Sequence, residues 1–213
     1  MIQIKLFYFN ELRVCCYLLW DETKEAILVD PGCGTAHEQE RLIKFVTQEK
    51  LSVRYMVNTH AHFDHIMGNA FVCAHWGIKS YLHPAEQGLL EHADTYCRMF
   101  GMTIDKPPTD TLPLSEKEAL RFGNAALQVL ETPGHSPGGI CLFAPQERFI
   151  ITGDTLFAGS IGRTDLPGGD YDQLIAGITQ KIIPLGAPLR ILPGHGPETT
   201  LDDVLCRNPY LSK

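Results

Sequence analysis

A histidine-rich segment at residues 59–65 constrains this chain more than any other feature of its sequence. The segment reads Thr-His-Ala-His-Phe-Asp-His, and four of its residues are of metal-ligating type: His60, His62, Asp64 and His65. Three more residues of these types follow much later in the chain: His135, Asp154 and His195. Imidazole and carboxylate together favour zinc, manganese or iron, and seven such groups exceed the needs of one tetrahedral ion. The pattern predicts two divalent metal ions, with zinc as the first choice and iron or manganese as alternatives.

The ligand-type residues share one local pattern, in which a short apolar run and a tight turn come first. Four runs rich in β-branched and apolar residues are predicted to be strands, and they lead to His60, His135, Asp154 and His195: residues 53–57, 126–130, 149–152 and 189–192. Glycines in the turns, at Gly134, Gly153 and Gly194, permit backbone conformations that aim the next side chain over the edge of a sheet. We therefore expect residues that are distant in sequence to meet at one edge.

Helical signals alternate with the predicted strands. Thr35 and Glu38 form the sequence signature of a capping box, and further helices are expected over residues 66–76 and from Pro84 and Asp170. Residues 2–9, 14–20 and 26–30 read as an antiparallel meander, and strands recur between residues 112 and 143. The segment 106–110, with two prolines, is expected to be a surface loop that joins the halves. These features predict two sheets packed face to face with helices outside, in a single domain over residues 1–213.

Composition restricts the class of protein. The 213 residues are 44% hydrophobic and 20% charged, and no apolar run approaches the roughly 20 residues that span a membrane. The net charge of −7 argues against a nucleic-acid partner, which would need clustered lysine and arginine. Seven cysteines without a C-x-x-C pair, and a start that lacks the features of a secretory signal, lead us to expect a cytoplasmic protein. Cys33, in the turn after Asp30, is expected to be a packing residue.

The spacing of the ligands suggests how they divide between two ions. His60 and His62 project the same way from an extended stretch, whereas Asp64 and His65 lie past a turn and point elsewhere. A consistent assignment has three residues on the first ion (His60, His62, His135), three on the second (Asp64, His65, His195) and Asp154 as the bridge. A carboxylate is needed at the bridge because a neutral imidazole offers one nitrogen lone pair. Structural zinc is usually closed by four Cys or His ligands, so this mixed set favours catalysis. Isolated histidines are left out of the site: His37, His75, His83 and His92.

These motifs resemble those of the metallo-β-lactamase superfamily. The resemblance rests on the segment 59–65, on Asp30 after an early strand, and on three short motifs that contain His135 (Thr-Pro-Gly-His), Asp154 (Thr-Gly-Asp-Thr-Leu-Phe) and His195 (Pro-Gly-His-Gly). It implies an α+β fold, an αββα four-layer sandwich with the metal site at one edge of the two sheets. It also implies that Asp30 supports the metal loop without binding metal. Residues 153–157 and 162–165 look most like the glyoxalase II group and its short single-domain relatives.

The expected reaction is hydrolysis of a small-molecule acyl thioester. Two adjacent cations would lower the pKa of a bridging water to near 7 and so supply hydroxide, which Asp64 would orient as a catalytic residue. A thiol with a pKa near 8.5 departs without a proton donor, whereas an amide nitrogen generally needs one, so a thioester suits the site better than a β-lactam. The resemblance to glyoxalase II implies S-2-hydroxyacylglutathione, typified by S-lactoylglutathione, as the substrate.

The sequence departs from the glyoxalase II pattern at the positions that recognise glutathione. Arg163 matches the family's cationic residue, but Asp165 and Pro197 replace two tyrosines. Arg163 is expected either to anchor a substrate carboxylate or to pair with a nearby acid. The alternative activity is that of a mononuclear-iron persulfide dioxygenase-like oxidoreductase, with His60, His135 and Asp154 as the iron ligands. A lactonase and a metal-binding module without activity are further alternatives.

Overall fold

A computed structural model describes residues 1–211 of the chain. The chain forms two compact units. The N-terminal unit comprises Met1–Leu114 and Arg121–Ala126, and the C-terminal unit comprises Ser115–Leu120 and the chain from Leu127 onward. That residues 1–213 act as a single domain stays a prediction.

The first sheet has six strands in sequence order: β1 (Gln3–Phe9), β2 (Val14–Trp20), β3 (Glu25–Val29), β4 (Ser52–Val57), β5 (Ser80–Leu82) and β6 (Leu112–Pro113). Strands β1, β2 and β3 pair antiparallel, which confirms the predicted meander. Strands β3 to β6 pair parallel, so the sheet is mixed. Every residue of β2 is buried, as expected of a strand covered on both faces.

Helices follow the strands of this unit: α1 (Ala36–Gln48), α2 (Phe63–Ile66), α3 (Asn69–Trp76), a 3₁₀ turn (Pro84–Glu86), α4 (Gln87–Glu91) and α5 (Ala93–Met99). The capping box at α1 is confirmed, because the Thr35 hydroxyl accepts from the Glu38 backbone N–H while the Glu38 carboxylate accepts from the Thr35 backbone N–H. Helix α1 buries Leu42 and Val46. The apolar stripe of α1 therefore packs in the core, as its spacing predicted.

The helix expected over residues 66–76 was wrong in its bounds. The chain turns helical earlier, at Phe63; α2 ends at Ile66, and α3 begins at Asn69, directly after Gly68. Gly68 lies so close to the Pro31 carbonyl and the Cys33 sulfur that a Cβ there would overlap both, and its N–H donates to the Pro31 carbonyl at 2.7 Å. A close approach of two backbones, which periodicity does not report, thus divides the helix. The helix expected from Pro84 is also divided, into the 3₁₀ turn, α4 and α5, and Phe100 at its C-terminal end is exposed.

The second sheet has strands β7 (Ala119–Phe122), β8 (Ala125–Glu131), β9 (Ile140–Ala144), β10 (Phe149–Gly153), β11 (Arg190–Pro193) and β12 (Thr199–Thr200), ordered β12-β11-β10-β9-β8-β7. Strands β10 and β11 are parallel, whereas the pairs β8–β9, β9–β10 and β11–β12 are antiparallel. The helices of the C-terminal unit are α6 (Tyr171–Gly177), continued by a π-helix (Ile178–Ile182) and a 3₁₀ turn (Ile183–Leu185), and α7 (Leu201–Arg207). Asp170 caps α6 by accepting from the Gln173 N–H, so the predicted helix start is confirmed.

Two mixed sheets accompanied by helices confirm the α+β class. The segment 106–110 contains neither helix nor strand, as expected of a loop. The prediction that it joins the two halves was wrong, because it lies within the N-terminal unit and leads to β6 of the first sheet. Within residues 1–211, no helix is both long enough and apolar enough to cross a bilayer.

The cap of α1 provides a test of the local structure. Thr35→Ala removes the acceptor for the Glu38 N–H, so we expect it to lower the free energy of unfolding by about 1 kcal/mol. Thr47→Ala is the matched control, because Thr47 is exposed in the last turn of the same helix and alanine should stabilise it by up to about 0.5 kcal/mol. Urea unfolding monitored by circular dichroism measures both, and equal effects of the two substitutions would contradict the capping role.

Candidate metal centre

In the N-terminal unit, four of the expected ligands gather in the segment that follows β4. The His60 ring lies 4.7 Å from the His62 ring and 4.1 Å from the His65 ring, centroid to centroid. Because α2 begins at Phe63, Asp64 and His65 stand in its first turn, where the Asp64 Oδ2 lies 3.6 Å from the His65 Nε2. The structure therefore brings together the four residues that the sequence singled out here.

The buried carboxylate of Asp30 organises this segment. Its Oδ1 accepts from the Thr59 backbone N–H at 2.7 Å, and its Oδ2 accepts from the Thr59 hydroxyl at 2.6 Å. Oδ2 also lies 3.0 Å from the His65 Nδ1. Asp30 adopts a left-handed backbone conformation with φ of 49°, which aspartate tolerates better than most residues. These contacts hold the segment in place, and the role of Asp30 as a support that does not bind metal stays a prediction.

The same contacts determine which ring nitrogens are available to a metal ion. An ionised carboxylate only accepts hydrogen bonds, so the His65 Nδ1 carries its proton and the lone pair of this ring is on Nε2. The Thr59 hydroxyl donates its one proton to Asp30 and therefore accepts from the His60 Nδ1, 3.1 Å away. The lone pair of His60 is then also on Nε2. Such outer hydrogen bonds are typical of metal-ligating histidines.

Two asparagines that sequence reasoning missed hold the backbone of this segment. The Asn10 side-chain amide donates to the Asp64 carbonyl at 2.9 Å, and that of Asn58 donates to the His65 carbonyl at 3.3 Å. Asn58 is buried and also bonds to Asn69 and Ser80. A polar amide directly after the apolar strand β4 was the signal available in the sequence.

In the C-terminal unit, Asp154 lies between two histidines. Its Oδ2 is 3.6 Å from the His135 Nε2 and 3.6 Å from the His195 Nε2. The His135 Nδ1 lies 2.8 Å from the Arg163 carbonyl, which only accepts, so the lone pair of His135 is on Nε2. The three expected ligands of this unit thus face one another through the atoms that ligate metals.

Strand ends and close-packed glycines position these three residues. His135, Asp154 and His195 follow β8, β10 and β11, as predicted. The Gly194 N–H donates to the Gly153 carbonyl at 2.7 Å, which ties the end of β11 to the end of β10. The buried hydroxyls of Thr132 and Thr155, 3.0 Å apart, join the His135 turn to the Asp154 turn.

Arg163 is engaged by an acid in its own loop. Its Nε and Nη2 donate to the two carboxylate oxygens of Asp165, each at 2.7 Å, and both side chains are more than half exposed. This two-point hydrogen bonding lowers the pKa of Asp165 to about 2. Of the two expected roles of Arg163, pairing with an acid is the one observed, and substrate anchoring stays a prediction.

Cys33 and the isolated histidines have structural contacts. Burial raises the pKa of the Cys33 thiol to about 12, so Cys33 is protonated at neutral pH and is not a nucleophile. The His83 Nδ1 accepts from the Ala85 N–H, the His92 Nδ1 contacts the Gly88 carbonyl, and the His75 ring stacks on Phe71.

The ion pair between Arg163 and Asp165 yields a prediction about the pKa of the aspartate. In the folded protein Arg163 depresses the pKa of Asp165, so Arg163→Met should raise that pKa from about 2 towards the ordinary value near 4. Arg163→Lys keeps the charge but loses the two-point contact and should give an intermediate value. NMR titration of the Asp165 carboxyl group measures this pKa in the wild type and in the two variants. An unchanged pKa in Arg163→Met would show that the pair of Arg163 and Asp165 does not persist in solution.

The turn before His135 yields a prediction about stability. Gly134 has φ of 129°, and a Cβ there would lie 2.6 Å from the Asp170 carbonyl oxygen, so Gly134→Ala should destabilise the fold by about 3 kcal/mol or more. Gly88→Ala is the control, because Gly88 lies in α4 with open space around it, and alanine should stabilise that helix by up to about 1 kcal/mol. Urea unfolding curves compare the two, and a neutral Gly134→Ala would contradict the crowding.

Comparisons with known proteins agree with the motifs and the fold. The family model described as the Metallo-beta-lactamase superfamily matches residues 10–195. The Hydroxyacylglutathione hydrolase GloC of Haemophilus influenzae is 35% identical over 199 residues, which cover 92% of each chain. The crystal structure of the BLEG-1 B3 metallo-beta-lactamase superposes with a TM-score of 0.89 at 36% identity, covering 99% of this chain and all of that one. TTHA1623, solved in a di-iron-bound form, superposes with a TM-score of 0.88 at 37% identity, covering 97% of this chain and all of that one.

The match to the family model extends over most of the chain, from the end of β1 to His195. Together with the histidine and aspartate clusters of the two units, it implies divalent metal ions. The chain belongs to the metallo-β-lactamase superfamily of metal-dependent hydrolases.

Proposed function

We propose that this protein hydrolyses acyl thioesters of the S-2-hydroxyacylglutathione class, such as S-lactoylglutathione, with the help of two divalent metal ions. The position of Asp154 is the observation that carries the proposal. One of its carboxylate oxygens, Oδ2, lies 3.6 Å from the Nε2 atoms of both His135 and His195, which is the arrangement expected of a carboxylate shared between two ions.

The donor atoms fit such a pair of ions. In this proposal one ion would be held by His60, His62 and His135. The other ion would be held by Asp64, His65 and His195, and Asp154 would serve both ions. Neutral imidazole nitrogens and carboxylate oxygens suit zinc, iron and manganese. Zinc remains our first choice, and the di-iron form of the relative TTHA1623 supports iron as the main alternative.

The ions would supply an activated water molecule at neutral pH and a positive charge to polarise the substrate carbonyl. The side chain of Asp64, nearly buried at the start of α2, would accept a hydrogen bond from that water and fix its direction. Asp30 keeps the His65 ring oriented through Nδ1 while the reaction proceeds. No nucleophilic side chain is needed, which agrees with the raised pKa of the Cys33 thiol.

A thioester is favoured over an amide by the group that departs. A thiolate leaves without a proton, because the pKa of a thiol is near 8.5, whereas an amine nitrogen requires an acid. The name of the GloC relative supports a glutathione thioester in particular. We also propose a cytoplasmic location, because none of the seven cysteines, all within residues 1–211, forms a disulfide, as expected in a reducing compartment that contains glutathione.

Substrate turnover tests the proposal directly. We expect the zinc-loaded protein to hydrolyse S-lactoylglutathione, and chelation to abolish the activity. Asp154→Ala and His60→Ala should each lower kcat/KM by at least about a hundredfold, because a bound metal contributes several kcal/mol and each 1.4 kcal/mol is a factor of ten. His37→Ala is the control, since His37 is exposed on α1, and it should behave as the wild type.

Three further assays separate the competing activities. The name of the BLEG-1 relative makes a β-lactam the main competing substrate, so a β-lactam and a lactone belong in the panel. Oxygen consumption on glutathione persulfide tests for a dioxygenase, since a hydrolase consumes no O₂. Turnover of any of these compounds, with none of a thioester panel by folded, metal-loaded protein, would overturn the proposal.

A further inference from the structure

A second acidic side chain, Glu86, is completely buried beside the histidine-rich segment of the N-terminal unit. It ends the 3₁₀ turn that follows β5 and stands at the start of α4, with none of its surface exposed. Glutamate is almost never fully buried unless its charge is compensated. The position of Glu86 therefore calls for a physical reason.

The surroundings of this carboxylate increase the cost of burying it. The apolar cluster beside Ala61 consists of buried residues from the histidine-rich segment, α2, β5, α4 and α5: Ala61, Ile66, Leu82, Leu89, Leu90 and Ala93. A carboxylate among apolar groups is destabilising unless it accepts hydrogen bonds or faces positive charge.

One hydrogen bond of Glu86 leads directly to the proposed ligands. Its Oε2 accepts from the Ala61 backbone N–H at 2.7 Å, the short distance expected when the acceptor is ionised. Ala61 is the residue between His60 and His62, whose rings lie 4.7 Å apart. The bond therefore fixes the peptide group between His60 and Ala61, which lies directly after His60 and one residue before His62.

We propose that Glu86 is a positioning residue of the metal centre, which holds the Ala61 backbone so that His60 and His62 face one cation and adds a buried negative charge that favours it. The inference rests on the proposed metal-dependent function. Glu86 does not touch the substrate or ligate the metal in this proposal. It supports the two histidines from behind, as Asp30 supports His65 from the other end of the segment.

The geometry separates two contributions of the side chain. Holding the Ala61 N–H requires only an acceptor oxygen, and glutamine offers one on a side chain of the same length as that of glutamate. Favouring a cation requires the charge, which is screened weakly when it is buried. Glu86→Gln removes the charge alone, whereas Glu86→Leu removes both the charge and the acceptor.

The experiment measures how tightly zinc-loaded protein holds its metal against a chromophoric chelator. Loss of an outer partner of a metal ligand typically weakens metal binding about 10- to 100-fold, and we expect an effect of this size in Glu86→Leu and a smaller loss of affinity in Glu86→Gln. Glu91→Gln is the matched control, because Glu91 is an exposed residue of α4, and it should leave the affinity unchanged. Thermal unfolding of each variant shows whether the fold is intact.

The outcomes distinguish this inference from the proposed function. Wild-type protein that binds no zinc would overturn the proposed function and the inference with it. Wild-type protein that binds zinc, together with a folded Glu86→Gln variant that binds it equally tightly, would overturn the inference alone. If Glu86→Leu does not fold, the zinc affinity of Glu86→Gln still tests the inference, because glutamine has almost the same shape as glutamate.

Discussion

The buried carboxylate of Asp30 is the interaction on which the histidine-rich segment of the N-terminal unit depends. It accepts from the Thr59 N–H and hydroxyl and from the His65 ring, so one acid determines the path of the chain and the tautomers of His60 and His65. Its burial is tolerated because these donors replace the water that it loses. The glycine at position 32 follows from the same packing, since a Cβ there would meet the Asp64 carbonyl oxygen at 2.6 Å.

The C-terminal unit reaches a similar result with a weaker partner. The His135 Nδ1 donates to a backbone carbonyl, that of Arg163, rather than to a carboxylate. A carboxylate partner raises the basicity of an imidazole ligand more than a carbonyl does, so His65 should be the stronger donor to a metal ion. This carbonyl belongs to the loop in which Arg163 and Asp165 pair. The loop therefore supports a ligand through its backbone, while the side chain of Arg163 is held by Asp165.

The sequence predicted those features that arise from local chemistry or from simple periodicity. The caps at Thr35 and Asp170 and the strands before each ligand are of this kind. Two features that arise from contacts between the backbones of distant segments, or between a side chain and a distant backbone, were missed. The break between α2 and α3 depends on Gly68 lying against Pro31, and the role of Glu86 depends on its contact with a peptide 25 residues earlier. Neither contact leaves a periodic trace in the sequence.

Anomalous diffraction at the zinc edge, from crystals of the metal-loaded protein, tests the central claim most directly. We expect two peaks per chain, with the Nε2 atoms of His60, His65 and His135 among the ligands and a carboxylate oxygen of Asp154 between the peaks. Each of these rings has its Nδ1 beside a protein oxygen. Ligation through Nδ1, or the absence of metal from these side chains, would contradict it.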